Sequence, residues 1–184
     1  MHRMGSEVDF RSATLADIPA IVTLVQAAYR GDASRAGWTT EADLLDGQRT
    51  DADDVRACIA RERSVVLLAE QAGRIVACAH VAVEDGAGYF GMFSVVPTLQ
   101  GAGLGKIVLA EAERRVRDDW RQAIMRMTVI TQRDELIAFY ERRGYVRTGK
   151  TKPFPYGDPR FGLPRRDDLR FVVLEKSLLA PPAC

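Results

Sequence analysis

Eleven residues, Val96-Pro97-Thr98-Leu99-Gln100-Gly101-Ala102-Gly103-Leu104-Gly105-Lys106, carry the clearest chemical signal in this 184-residue chain. The apolar stretch Tyr89 to Val95 ahead of them predicts a strand, and Ile107 to Val116 behind them predicts a helix. A strand that empties through a glycine-rich turn into a helix leaves several backbone N–H groups without carbonyl partners at the positive end of the helix dipole. That arrangement suits a pyrophosphate. Glycines let the backbone close on the anion where a Cβ would hold it away. A Walker A loop needs Gly-x-x-x-x-Gly-Lys-Ser/Thr, which is not the spacing here. A dinucleotide fingerprint needs Gly-x-Gly-x-x-Gly near the start of a βαβ unit.

A second segment, Glu135 to Tyr145, adds a tyrosine to the candidate chemistry. Leu136, Ile137, Phe139 and Tyr140 make one apolar helix face, and Gly144 is placed to end the helix in a left-handed conformation. A tyrosine on such a face can be a core residue with a satisfied hydroxyl, or it can present that hydroxyl to a ligand.

The order Gln-x-x-Gly-x-Gly, filled by Gln100, Gly103 and Gly105 behind Val95 and Pro97, resembles motif A of the GNAT family of N-acetyltransferases. Residues 135–145 are similar to that family's motif B. The resemblance spans about residues 8–178. It implies an α/β (α+β) fold with a mixed, mostly antiparallel sheet of about seven strands. The sheet would splay at the CoA site and be flanked by four helices. It also implies transfer of an acetyl group from acetyl-CoA, as cosubstrate, directly to a primary amine, with no metal.

By position, the resemblance assigns the pantetheine contacts to Phe93, Ser94 and Val95, with the N–H of Val95 or its immediate neighbour as oxyanion donor. Gln100, Gly101, Ala102, Gly103, Leu104, Gly105 and Lys106 would hold the pyrophosphate, although Lys106 reads equally well as a solvated first-turn lysine. Tyr140 would touch the cofactor and protonate the departing thiolate. Many relatives carry an asparagine seven residues before that tyrosine; here the position is Arg133, so that contact is absent or replaced.

For the acceptor the candidates are Tyr29, Trp38 and Glu41 around the end of the first helix, Glu84 at a strand end, and Phe154 and Tyr156 in a Pro-rich loop. The aromatic residues equally suit a core cap or a dimer contact. No general base stands out among Glu41, Asp43, Glu84 and His80, and His80 reads first as a core histidine. The acceptor reads as a small amine or amino acid derivative, with a protein or peptide amine as the alternative. A non-catalytic acyl-CoA sensor is the reading from another class.

The positioning elements follow from periodicity. Strands are expected at 8–11, 65–69, 75–83, 89–95, 125–130, 145–150 and 171–176. Asp17 is a candidate N-cap for a helix over Ile18 to Ala28, Asp51 to Glu62 reads as another helix, and residues 30–50 read as a long loop or a broken helix. The length fits one domain, 1–184, with flexible ends at 1–7 and 179–184. A net charge of +1 gives no bulk argument for nucleic acid or membrane partners. Cys58, Cys78 and Cys184 have no metal spacing and read as free thiols in a cytoplasmic protein. Homodimerisation is common in the resembling family, but no surface here identifies itself.

Overall fold

The structure, a computed structural model, describes residues 7–180; the expectations for residues 1–6, for the tail after residue 180 and for Cys184 lie outside the described residues. All seven expected strands form one sheet: β1 (Asp9–Ser12), β3 (Ser64–Gln71), β4 (Arg74–Glu84), β5 (Ala87–Val95), β6 (Ile124–Ile130), β9 (Arg170–Ser177) and β7 (Val146–Pro153), in that spatial order. Every neighbouring pair is antiparallel except β5–β6. Those two parallel strands are joined through helix α4 (Leu104–Arg114), which continues into a π turn at Arg115–Asp119.

Side-chain alternation along β3 sorts the core. Leu67 and Ala69 face α4 and α5 (Asp134–Glu141), together with Val108, Leu109, Ala112, Ile137 and Tyr140. Val66 and Leu68 face the other way, against α1 (Ile18–Tyr29) and α3 (Ala52–Ala60), through Ile21, Val25, Ala28 and Val55. A sheet buried on both faces explains why β3 reads as a continuous apolar run rather than an alternating one.

Three short elements escaped sequence reading. Residues 30–50 hold a one-turn helix, α2 (Gly31–Ser34), and a two-residue strand, β2 (Leu45–Asp46). The latter pairs with β8 (Leu163–Pro164) in a separate ladder. Elements of two residues carry no periodicity. Asp17 stands at the N-cap position of α1 as expected, but it lies in αR and makes no side-chain cap to that helix. Its carboxylate turns back to the Thr14 N–H, at 2.7 Å, and to Arg11, at 2.8 Å, closing a capping box on a preceding 3₁₀ turn.

Among the described residues no helix is long and apolar enough to cross a membrane.

Candidate active site

The sheet opens where the chemistry-bearing segments meet. β5 and β6 pair only at Gly88–Met125 and Tyr89–Arg126, and beyond that rung no ladder pair joins them among the described residues. β5 also carries one extra residue against β4. Two steps from Cys78 to His80 face three steps from Ser94 to Gly91, and Met92 at the bulge has φ +50°. The bulge turns β5 away from β6 and returns Phe93 to the face occupied by Phe90.

The inner edge of β5 is therefore unladdered, and its backbone groups can be followed one at a time. Val96 N–H donates to Val76 O at 2.9 Å, so Val96 faces β4, and by strand alternation the Val95 N–H points into the split. The Val95 carbonyl accepts from Gln100 Nε2 at 3.1 Å, and the Phe93 carbonyl accepts from the Tyr29 hydroxyl. Ser94 is buried, with Oγ donating to Met92 O at 3.2 Å. Of the three β5 residues expected at the thioester arm, Val95 thus offers the donor, while the Phe93 carbonyl is engaged by a side chain.

The glycine loop feeds α4 as expected. Gly103 is the N-cap residue at φ +87°, a conformation costly for any residue with a Cβ, and no atom lies within 4 Å of where its Cβ would stand. Gly105 serves a different need. A Cβ there would meet the rings of Phe93 at 3.1 Å and Phe139 at 3.3 Å, so glycine lets α4 seat on the split. Gly101, Ala102, Gly103 and Lys106 are exposed, and Leu104 is buried beneath them. The Gln100 side chain does not face the loop's open side. It bridges to the acceptor segment, donating to Thr39 Oγ1 at 2.8 Å and accepting from Thr39 N–H at 3.2 Å.

Between the parted strands β5 and β6 lies a cavity of about 500 Å³, within the range of small-molecule sites. It brings together Tyr29, Glu41, Glu84, Phe93, Arg133, Tyr140 and Phe154 from the expected site residues. Tyr140 is held in an aromatic cluster with Phe90, Phe139 and Tyr145. Its hydroxyl makes no hydrogen bond among the described residues, and burial pushes its pKa well above the ordinary tyrosine value, so it keeps its proton at neutral pH. The helix that presents it ends as expected, with Gly144 at φ +93° and the Tyr145 N–H reaching back to Tyr140 O at 3.2 Å.

Two aromatic candidates fall elsewhere. Trp38 packs at a tilt against Phe139, with ring centroids 5.6 Å apart, and lines a smaller depression with Asp43 and Glu135. Tyr156 turns its hydroxyl into its own loop, donating to Arg166 O at 3.0 Å and accepting from Leu169 N–H at 2.8 Å.

Charge inside the cavity wall is organised around one carboxylate. Glu41 is buried, with Oε2 on Arg30 and Oε1 on Arg133 at 2.8 Å. Burial alone would raise its pKa; Arg133 and Arg30 overcome that and hold it below the usual carboxylate range. Arg133 also donates to Thr39 O and stands over the Tyr29 ring at 5.2 Å, so its guanidinium is committed to this wall. Glu84 is paired with Arg61 at 2.9 Å, and exposed Asp43 with Arg35 at 2.8 Å.

His80 also lines the cavity, as the buried histidine of mid-β4. Ser64 Oγ donates to Cys58 O at 2.7 Å, so it accepts from His80 Nε2–H at 2.8 Å, leaving Nδ1 as the acceptor nitrogen. Burial lowers the imidazole pKa to about 4. Cys78 is fully buried, its thiol pushed up to about 12, so it carries no thiolate for a covalent step at neutral pH.

Phe161 of the Pro-rich loop, which the sequence also offers as an aromatic wall residue, lines the cavity, whereas Arg30, Arg49 and Tyr89 were missed by sequence reading. Nothing in the spacing of those three marks them, because they come from a helix end, a turn and a strand that meet only in the fold. Both loops expected over the acceptor do meet there. The β2–β8 ladder joins them, and Asp46 holds Arg165 through two contacts of 2.8 Å.

A split parallel pair, a glycine loop capping a helix beside it and a tyrosine on the next helix define an acyl-CoA-dependent acetyltransferase. Residues 39–154 match the family model for the acetyltransferase (GNAT) domain, and the chain belongs to that family. No curated protein matches it in sequence. Among solved structures it is similar to the ribosomal-protein-S18-alanine N-acetyltransferase of Escherichia coli, with 16% identity, TM-score 0.69, and 97% of this chain and 99% of that one covered. It is also similar to yncA of Salmonella typhimurium, solved with its cofactor acetyl-CoA, with 20% identity, TM-score 0.66 and 96% of each chain covered. A third is a spermidine N-acetyltransferase SpeG chimera from Vibrio cholerae and hSSAT, with 13% identity, TM-score 0.68, and 94% and 96% covered. At these identities the likeness concerns the fold.

The residues present fit acetyl-CoA. The open space about Gly101 and Gly103 and the N–H groups of the first α4 turn suit a pyrophosphate, and the unladdered edge of β5 suits an amide-bearing arm.

Proposed function

We propose that this chain transfers the acetyl group of acetyl-CoA directly to the primary amine of a small molecule bound in the 500 Å³ cavity. The observation that carries this reading is the Tyr140 hydroxyl: buried, protonated, free of protein partners and lining the cavity at the split. When bound, acetyl-CoA supplies an activated thioester carbonyl, held by the N–H groups of Gly101 to Lys106 and the edge of β5. The amine nitrogen forms its bond to the carbonyl carbon and the C–S bond breaks. The Val95 N–H donates to the oxygen that gathers negative charge, and Tyr140 gives its proton to the leaving sulfur. Glu41 is held by two arginines and Glu84 by a third, so neither carboxylate is free as a base. The ammonium proton leaves through water, with neutral His80 in the wall of its path.

A small acceptor is favoured over a protein chain because the β2–β8 ladder ties together the two loops that border the cavity. A half-buried thiol at Cys58 and a buried one at Cys78, both with raised pKa, suit a reducing, cytoplasmic setting.

The test is thiol release from acetyl-CoA across a panel of amines, for the wild type and Tyr140→Phe. Loss of a positioned acid is expected to lower kcat by about 10²-fold or more. An unchanged kcat in the variant removes Tyr140 from the acid role and leaves the transferase reading intact.

A further inference from the structure

We infer that the acceptor carries an anionic group, a carboxylate in the first instance, next to its amine, and that Arg49 is the residue that binds it. This rests on the small-amine reading above and names the substrate class for the same cavity.

The inference starts from a charge imbalance inside a wall mostly removed from water. Three arginines, Arg30, Arg49 and Arg133, gather around the single carboxylate Glu41. Each Glu41 oxygen is already assigned, one to Arg30 and one to Arg133. Arg49 is left over. Its guanidinium makes no hydrogen bond or ion pair among the described residues and sits over the Tyr29 ring at 5.2 Å, on the cavity lining. Glu41 and Asp54 act on it only through space. A second polar atom of the wall is also unsatisfied: the buried Arg30 Nε has no hydrogen-bond partner among the described residues. The remaining acids of the lining do not restore the balance, since Glu84 is taken by Arg61 and Asp85 is an exposed turn residue.

Burial works against the charge of Arg49, and the through-space pull of Glu41, Tyr29, Tyr89 and Asp54 outweighs that and keeps it protonated. Its guanidinium donors nevertheless have no acceptor among the described residues of the wall, and a ligand would complete them. Arg49 is also held in readiness. Gln26 of α1 grips its turn from both sides, accepting from the Arg49 N–H at 3.1 Å and donating to Gly47 O at 3.1 Å. Gln48 closes the same turn on Asp51 at 3.1 Å. A guanidinium fixed at its backbone and stacked on an aromatic ring has its fork ready for a planar two-oxygen anion, and binding costs little reordering.

The experiment compares L-amino acids with their carboxamides, which keep the amine and side chain but remove the charge. Wild type, Arg49→Met and Arg49→Lys are each assayed for thiol release from acetyl-CoA. Each is also titrated calorimetrically with the same probes. Wild type is expected to favour carboxylates by at least about ten-fold in kcat/KM, the scale of one charge-assisted hydrogen bond. Arg49→Met is expected to lose that margin, its kcat/KM falling several-fold further for carboxylates than for carboxamides, and Arg49→Lys to retain part of it.

Equal use of carboxylates and carboxamides by wild type, or an equal loss of both in Arg49→Met, overturns the inference. A wild type that prefers carboxamides overturns it in favour of peptide-like acceptors. If no probe releases thiol, the small-amine transfer reading fails separately and calorimetry decides the anchor. Heat from carboxylates that disappears in Arg49→Met supports it, and no difference between probes overturns it. Arg49→Lys, which preserves charge and stem, keeps the comparison usable if Arg49→Met melts.

Discussion

The proposed donor surface and the proposed acceptor wall meet at the same split in the sheet, and they are built by opposite means. The donor surface is one contiguous stretch of backbone. Gly101, Ala102, Gly103 and Lys106 are exposed, and recognition falls on N–H groups that need no side-chain network to hold them. The acceptor wall comes from α1, the α2–β2 segment, β4, β5, β6, α5 and the 154–171 loop. Its charged groups are buried and hold one another, as Arg30, Glu41 and Arg133 do. A universal donor can be read by a loop whose chemistry is the peptide bond itself. A particular acceptor demands side chains, and buried side chains with charge must be neutralised and positioned by others. Binding of the donor is therefore separable from folding, whereas the acceptor wall is part of the core.

Breaking the wall should cost most. Glu41→Ala leaves Arg30 buried without its carboxylate and Arg133 without its partner. A loss of about 3–5 kcal/mol is expected from removing one member of a buried ion pair, read by chemical denaturation. A loss below about 1 kcal/mol would mean the wall relaxes freely and that the contrast between the two surfaces is false.

Acid should also act on the wall first. In the unfolded chain His80 takes a proton near 6.5, whereas the folded protein withholds it until about 4. Its contribution is therefore fully present above 6.5 and is lost as pH falls toward 4, by about 3 kcal/mol at most. Glu41, held below its ordinary range, adds a further loss at still lower pH. The comparison is wild type against His80→Gln in denaturant midpoints between pH 7 and 4, where the variant should show the shallower fall. Parallel curves would remove His80 from the acid response.

The donor loop should answer differently. Gly103→Ala forces a Cβ into the left-handed conformation at φ +87° and costs about 1 kcal/mol of stability. The larger effect is expected on acyl-CoA affinity by calorimetry, with the acceptor KM unchanged. A shift in acceptor KM alone would place the loop's influence on the acceptor wall instead.

The same contrast explains what could be read without coordinates. The seven strands, the glycine turn and the Tyr140 helix are local patterns of alternation, spacing and capping, and each stands where the sequence places it. Asp17 takes the N-cap position it was expected to, but Arg11 and Thr14 take its carboxylate, a local alternative that composition does not reveal. Trp38 and Tyr156 were aromatic residues in the expected loops, but one ring found Phe139 and one hydroxyl found its own loop backbone. Arg30 and Arg49 were illegible for a plainer reason. An arginine in sequence reads as solvent-facing, and only the fold shows that Arg30 is buried and Arg49 half-buried in the cavity wall near Glu41.

The two-residue ladder of β2 and β8, with its Asp46–Arg165 clasp, makes segments more than a hundred positions apart behave as one inherited unit. A new acceptor preference cannot arise by trading either loop alone, since a length change in one shifts the rung that seats the other. Among descendants of this protein, insertions near residue 45 should be matched by compensating changes near residue 164, and chimaeras that exchange both loops together should fold where single exchanges do not.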